Sequence, residues 1–194
     1  MIALTTDYFS VEDYLPWEEQ QEEKHEYVDG TIYAIAGATE NHVSITTNCT
    51  TIIWSHLRGR TCKVFPSDMR VNIPAKKIYY YPDLLVTCDD RDRLTKKHKS
   101  YPCLIIEVLS NSTEAKDRGV KFADYQTIES LQEYVLINQQ EQRIEVFRRS
   151  DRKFWILETY TAGEDVELKT INLTIPISSI YEDIEFDIKS EDEV

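Results

Sequence analysis

The sequence predicts one α/β domain, a mixed β-sheet flanked by α-helices. Three observations point there. Residues 41–58 and 114–128 carry apolar side chains at helical spacing. The run PCLIIEVLS is short, β-branched and apolar, as in a strand buried on both faces. An Asp29-Gly30 dipeptide stands between two β-type runs, which is a strong hairpin signal.

Taken in order, Ser10 followed by Asp13 reads as the cap of a short helix that stops near Pro16. The acidic run WEEQQEEKHEY leads into the hairpin, with arms at residues 26–28 and 31–35. Asn41 opens the next helix, where Ile45, Cys49, Ile52, Ile53 and Leu57 share a face, and Gly59 ends it. Residues 63–73 read as one strand, and YYYPDLLVTC as a second after a turn at 74–77. DDRDRLTKKHKS is a charged loop before the buried strand, and Ser112 or Thr113 can cap the helix that follows. EYVLIN, RIEVFRR and KFWILETY are three further strands, and LTIPISSIYEDI supplies a closing strand and a short helix. The domain is expected over residues 1–186, with 187–194 as an acidic flexible tail.

The 194 residues, 41% of them hydrophobic, suffice for a core without disulfides or a structural metal. No apolar run approaches the ~20 residues that cross a bilayer, and no export signal is read at the start. A cytoplasmic, reducing setting is therefore expected, and Cys49, Cys62, Cys88 and Cys103 read as ordinary thiols. Five glycines form no phosphate-binding or dinucleotide motif, and no GxSxG elbow occurs. The net charge of −13 argues against broad phosphate binding. An acidic chain can still approach DNA if its cations gather on one face. Candidates are Arg91, Arg93, Lys96, Lys97, His98 and Lys99, and Arg143, Arg148, Arg149, Arg152 and Lys153.

Two acids stand where a purely structural chain would avoid them. Glu107 lies inside Leu104-Ile105-Ile106-Glu107-Val108-Leu109, and an ionised carboxylate there needs a partner. Asp83 directly precedes the apolar Leu84-Leu85-Val86. If the two strands are neighbours, ~4.8 Å apart, both carboxylates can share one site. Such a pair repels unless a cation intervenes or one acid is protonated. A hard divalent ion with a few carboxylates and retained waters is a magnesium-type arrangement. Plainer readings are a turn at Pro82-Asp83 and a buried salt bridge at Glu107. On the following helix, Lys121 falls at the margin of the face formed by Ala115, Phe122, Tyr125 and Ile128. It can reach back over the strand end, or merely pair with Asp117 at i,i+4.

These residues resemble the Uma-two family of endonucleases, within the PD-(D/E)XK nuclease superfamily. The resemblance runs through Glu26-Tyr27-Val28-Asp29-Gly30, His42, Tyr81-Pro82-Asp83-Leu84-Leu85-Val86 and Ile106-Glu107-Val108-Leu109-Ser110. It continues through Asp117, Lys121, Tyr125 and Glu133-Tyr134. It implies a restriction-endonuclease-like fold, with a mixed central sheet and helices on both sides. It also implies Asp83 and Glu107 as metal-binding acids, with the Val108 carbonyl as a further ligand. The superfamily's lysine two residues after Glu107 is replaced by Leu109, so Lys121 is its natural substitute. Glu26 matches the family's amino-terminal acid, as a second metal ligand or a partner of Lys121. His42 is expected to cap or pack a helix rather than bind metal, and Asp68 to be a peripheral acid.

The implied activity is Mg²⁺- or Mn²⁺-dependent hydrolysis of phosphodiester bonds in DNA, with Asp83, Glu107, Lys121 and Glu26 as catalytic residues. A homodimer would suit cleavage of both strands. The rivals are a catalytically silent DNA-binding or regulatory module and an oligomeric interaction protein on the same fold.

Overall fold

The computed structural model describes residues 8–150 and 154–186. The tail at 187–194, Arg152 and Lys153 lie outside them. In chain order the regular elements are α1 (Val11–Glu18), β1 (His25–Val28), β2 (Thr31–Ala34), α2 (Glu40–Leu57), β3 (Lys63–Pro66) and β4 (Arg70–Ile73). Then come β5 (Ile78–Tyr80), β6 (Leu84–Thr87), β7 (His98–Lys99) and β8 (Leu104–Leu109). One helical stretch follows in three parts: α3 (Glu114–Lys116), a π-helical turn (Asp117–Lys121) and α4 (Phe122–Tyr125). The rest is β9 (Glu133–Asn138), β10 (Arg143–Arg149), β11 (Trp155–Thr161), β12 (Asp165–Leu168), β13 (Leu173–Pro176) and α5 (Ile177–Ile180).

The central sheet has six strands in the order β11-β10-β9-β8-β6-β3. It is mixed, because β8 pairs with β9 in parallel and with β6 antiparallel. All six residues of β8 are buried, as a strand covered on both faces requires. Pleating sends Leu104, Ile106 and Val108 to one core, with Ile45, Cys49, Ile53 and Leu57 of α2. Ile105 and Leu109 enter the other core, with Tyr125, Ile128 and Leu131. Glu107 shares that second face. A five-stranded sheet, β2-β1-β5-β4-β7, also covers this side through Val71, Ile73, Ile78 and Tyr80. One flank is thus α2 with the β12–β13 hairpin and α5, and the other is part helix and part sheet.

Several boundaries differ from the sequence reading. Pro16 lies inside α1, which runs two residues past it. Residues 63–73 form two strands in different sheets, because the turn after Pro66 redirects the chain. YYYPDLLVTC divides likewise at Tyr81-Pro82-Asp83, where the chain passes from one sheet to the other. Thr39 rather than Asn41 caps α2, accepting from the His42 N–H at 3.3 Å. Thr113 precedes α3 without a side-chain cap bond. The β12 strand escaped the sequence reading. The hairpin holds as read, with Asp29 (φ 38°) and Gly30 (φ 96°) in left-handed conformations between β1 and β2.

The cysteine expectation is corrected as well. Cys62 and Cys88 form a disulfide, leaving Cys49 and Cys103 as free thiols. The reason is register: Lys63 opposes Thr87 in the β3–β6 ladder, so the residues just beyond face each other.

Candidate active site

The β6–β8 register sets Leu84 opposite Ile106, which brings Asp83 beside Glu107 at one end of the ladder. The pair interlocks through the main chain. The Val108 N–H donates to Asp83 Oδ2 at 2.7 Å, and the Asp83 N–H donates to Glu107 Oε2 at 3.3 Å. On its other oxygen, Glu107 receives Lys121 Nζ at 3.0 Å and the Tyr125 hydroxyl at 3.1 Å. Lys121 also lies 3.1 Å from Glu26 Oε1 and 3.5 Å from Asp117 Oδ1. Asp83, Glu107, Lys121 and Glu26, widely separated in sequence, therefore meet in one place.

The π-helical turn explains how one short helical stretch reaches so far. In a regular α-helix, Lys116 and Lys121 would point about 140° apart. The wider turn lets both reach Glu26, with Lys116 Nζ at 2.5 Å from Oε2 and Lys121 on Oε1. Lys116 was not foreseen, since a five-residue spacing gives no shared helical face. Asp117, read as half of a surface pair, is buried with Lys121 (2% and 6% exposed). Its Oδ1 has no hydrogen-bond partner.

His42 departs from its expected role. Its backbone completes the Thr39 cap, but its ring faces the site, with Nε2 3.1 Å from Asp83 Oδ2. Asp68 stays outside: it is exposed in the turn after β3 and pairs with Lys24 at 2.7 Å.

Electrostatics follow from crowding acids in a buried place. Burial pushes the Glu107 carboxyl up to about 8; Lys121 opposes this, while Asp117, Asp83 and Glu26 reinforce it. Burial also raises Asp117. Burial works against the Lys121 ammonium, yet Glu107 and Glu26 outweigh it and hold its pKa well above the usual lysine value. For Glu26, burial is overcome by Lys121 and Lys116, and its carboxyl stays low.

The cluster fits a hard divalent cation. Glu26, Glu107 and Asp117 gather on the Lys121 ammonium, Lys116 adds a second cation at Glu26, and Asp83 stands beside Glu107. The Asp117 Oδ1, which has Lys121 at 3.5 Å but no hydrogen bond, and the wholly oxygen donor set of Asp83, Glu107 and the Val108 carbonyl suit Mg²⁺ or Mn²⁺. Among the described residues, no three His, Cys, Asp or Glu side chains form a ready-made metal cage. Magnesium does not need one, since it usually takes one or two carboxylates and keeps several waters.

The site opens into a cleft of about 1720 Å³, walled partly by α2 and by the β8–α3 connection. Among the described residues, the basic clusters named from sequence do not line it. Arg91, Arg93 and Lys97 pair with Asp89, Asp90 and Glu19, and Lys99 donates to the Asp92 carbonyl. Arg148 is held by Glu133, and Arg149 donates to carbonyls at Gln126, Ile128 and Leu131. Each of these cations is held by a local partner. No helix among the described residues is long and apolar enough to cross a membrane.

The arrangement of sheets and helices is restriction-endonuclease-like. A solved structure from Anabaena variabilis, described as "a putative nuclease belonging to DUF820", shares it with a TM-score of 0.74 at 18% identity. That match covers 89% of this chain and 97% of the other. Residues 11–178 match the model of the Uma2 family, described as "Putative restriction endonuclease", and the chain belongs to that family. Two relatives come from Synechocystis. The uncharacterized protein slr1290 is 42% identical over 91% of this chain and 93% of its own length. The uncharacterized protein sll1609 is 36% identical over 87% and 96%.

Proposed function

We propose that the chain is a nuclease that hydrolyses phosphodiester bonds in DNA and depends on Mg²⁺ or Mn²⁺. The observation that supports this most is the meeting of Asp83, Glu107 and Lys121 at the wall of an open cleft. Asp83 and Glu107 are the acids that hold the ion, with the Val108 carbonyl as a further donor. A bound ion supplies Lewis-acid polarisation of a phosphoryl oxygen and a lowered pKa for the attacking water.

The chain's own groups do the remainder. Lys121 carries positive charge to the point where negative charge builds on phosphorus-bound oxygens. Glu26 is a positioning residue for it, anchored by Lys116 and by the Tyr81 N–H at 3.3 Å. Tyr125 fixes the Glu107 carboxylate from the helix side.

The test is a cleavage screen over duplex, single-stranded and branched DNA with each ion. Lys121→Ala is expected to abolish cleavage while retaining metal binding, and Glu107→Ala to remove both. Unchanged cleavage in Lys121→Ala would withdraw the role given to that lysine. The acidic cleft gives the silent-module reading its one specific support. A wild-type chain that binds neither ion in a calorimetric titration would favour that reading.

A further inference from the structure

The first turn of α2 puts a nitrogen where the site otherwise offers oxygens. Thr39 caps the helix and sets His42 in that turn, on the wall of the cleft. His42 Nε2 lies 3.1 Å from Asp83 Oδ2, and the ring also hydrogen-bonds the Val108 main chain. The same Asp83 oxygen already receives the Val108 N–H at 2.7 Å, so residues 42, 83 and 108 are tied at one point. Two of the three donors assigned to the ion thus converge on one ring. Adjacent ligands of an octahedral ion, at ~2.1 Å from it, stand ~3.0 Å from each other. The His42–Asp83 separation therefore suits two ligands of one ion as well as it suits a hydrogen bond. Both side chains are partly accessible, at 17% and 16%, so an ion can enter from the cleft.

We propose that His42 Nε2 is a nitrogen donor to the ion held by Asp83 and the Val108 carbonyl, and that it shifts the site's preference from Mg²⁺ toward a transition-metal ion such as Mn²⁺. The inference rests on the metal-dependent reading above. Its chemistry is simple: Mg²⁺ demands an oxygen shell, whereas imidazole suits transition metals. The donor set is then three side chains, His42, Asp83 and Glu107, and the Val108 carbonyl, with water completing the shell. Thr39 holds the main chain of that turn, accepting from the His42 N–H at 3.3 Å.

The test uses the full chain as wild type, His42→Ala, His42→Gln and Asp83→Asn. Each is titrated with Mn²⁺ and with Mg²⁺ by calorimetry, and the Mn²⁺-loaded samples are read by pulsed EPR. A directly bound nitrogen is expected in the wild type and absent from both His42 variants. Their Mn²⁺ affinity is expected to fall about 10-fold or more, with Mg²⁺ affinity little changed. A wild-type spectrum without bound nitrogen overturns the proposal, and that spectrum needs no variant to fold. Nitrogen coupling that survives in the His42 variants overturns it too, as does an equal loss of both ions, the mark of a residue that only positions Asp83. Asp83→Asn tests the underlying reading separately: undiminished binding of both ions there would remove the metal site itself.

Discussion

Asp83 and Glu107 each accept a hydrogen bond from the strand that carries the other. The Val108 N–H reaches Asp83 at 2.7 Å, and the Asp83 N–H reaches Glu107 at 3.3 Å. The exchange keeps the two carboxyl groups side by side before any ion arrives. The main chain therefore pre-organises the pair, and the consequences can be measured.

Loss of Lys121 should hurt folding as well as cleavage. Lys121→Ala leaves Glu26, Glu107 and Asp117 buried without the ammonium they share. Removing one partner of a buried ion cluster costs on the order of 3 kcal/mol. Urea denaturation of the metal-free protein is expected to show a loss of that size, and a loss below about 0.5 kcal/mol would contradict it.

Glu107→Gln should behave in the opposite way. The amide keeps the volume and an acceptor for Lys121 and relieves repulsion from Asp83, Asp117 and Glu26, while its NH₂ gives up only the long 3.3 Å bond from the Asp83 N–H. Metal-free stability is expected to change by at most about 1 kcal/mol. Cleavage should nonetheless disappear, and a fully active Glu107→Gln enzyme would remove Glu107 from the metal site.

Divalent ions should stabilise the fold. An ion that binds only the native state contributes about 2.7 kcal/mol at 100 times its dissociation constant. Thermal melts with rising Mg²⁺ or Mn²⁺ are expected to move upward, and Asp83→Asn to stay flat. A melt for wild type that ignores both ions counts against the proposed cofactor.

Gly30→Ala probes the hairpin apart from the site. At φ 96° a side chain is strained, and an added Cβ would stand 2.2 Å from Tyr8 Cδ2. A loss of about 1–2 kcal/mol is expected, with ion binding unchanged. An unaltered melting temperature would show that Tyr8 yields freely.

Much of this was readable from residues alone, for local reasons. Glu107 announced itself because a charge inside Leu104–Leu109 has no innocent place to go. The hairpin at Asp29-Gly30 was set by two residues that tolerate positive φ. Lys121 could be placed because its helix has a clear apolar face. What stayed hidden depends on events that periodicity does not encode. Pro66-Ser67-Asp68 and Pro82-Asp83 are turn-type residues, but β-type runs flank both, and the pattern does not tell a change of sheet from a break within one strand. The inward-facing Asp117 and the part played by Lys116 depend on a π-helical turn that a 3.6-residue wheel conceals. His42 looked like a capping residue because a helix start was legible nearby, whereas its direction was fixed by Asp83, 41 positions away.

The widened turn at Asp117–Lys121 amounts to one surplus residue in an otherwise ordinary helix. Deleting a single residue between Lys116 and Lys121 would restore regular winding and leave the two amines four residues apart, still on one face. Phe122 and Tyr125 would keep their anchorage in the interior. A helix shortened by that residue could therefore keep both the architecture and the double hold on Glu26.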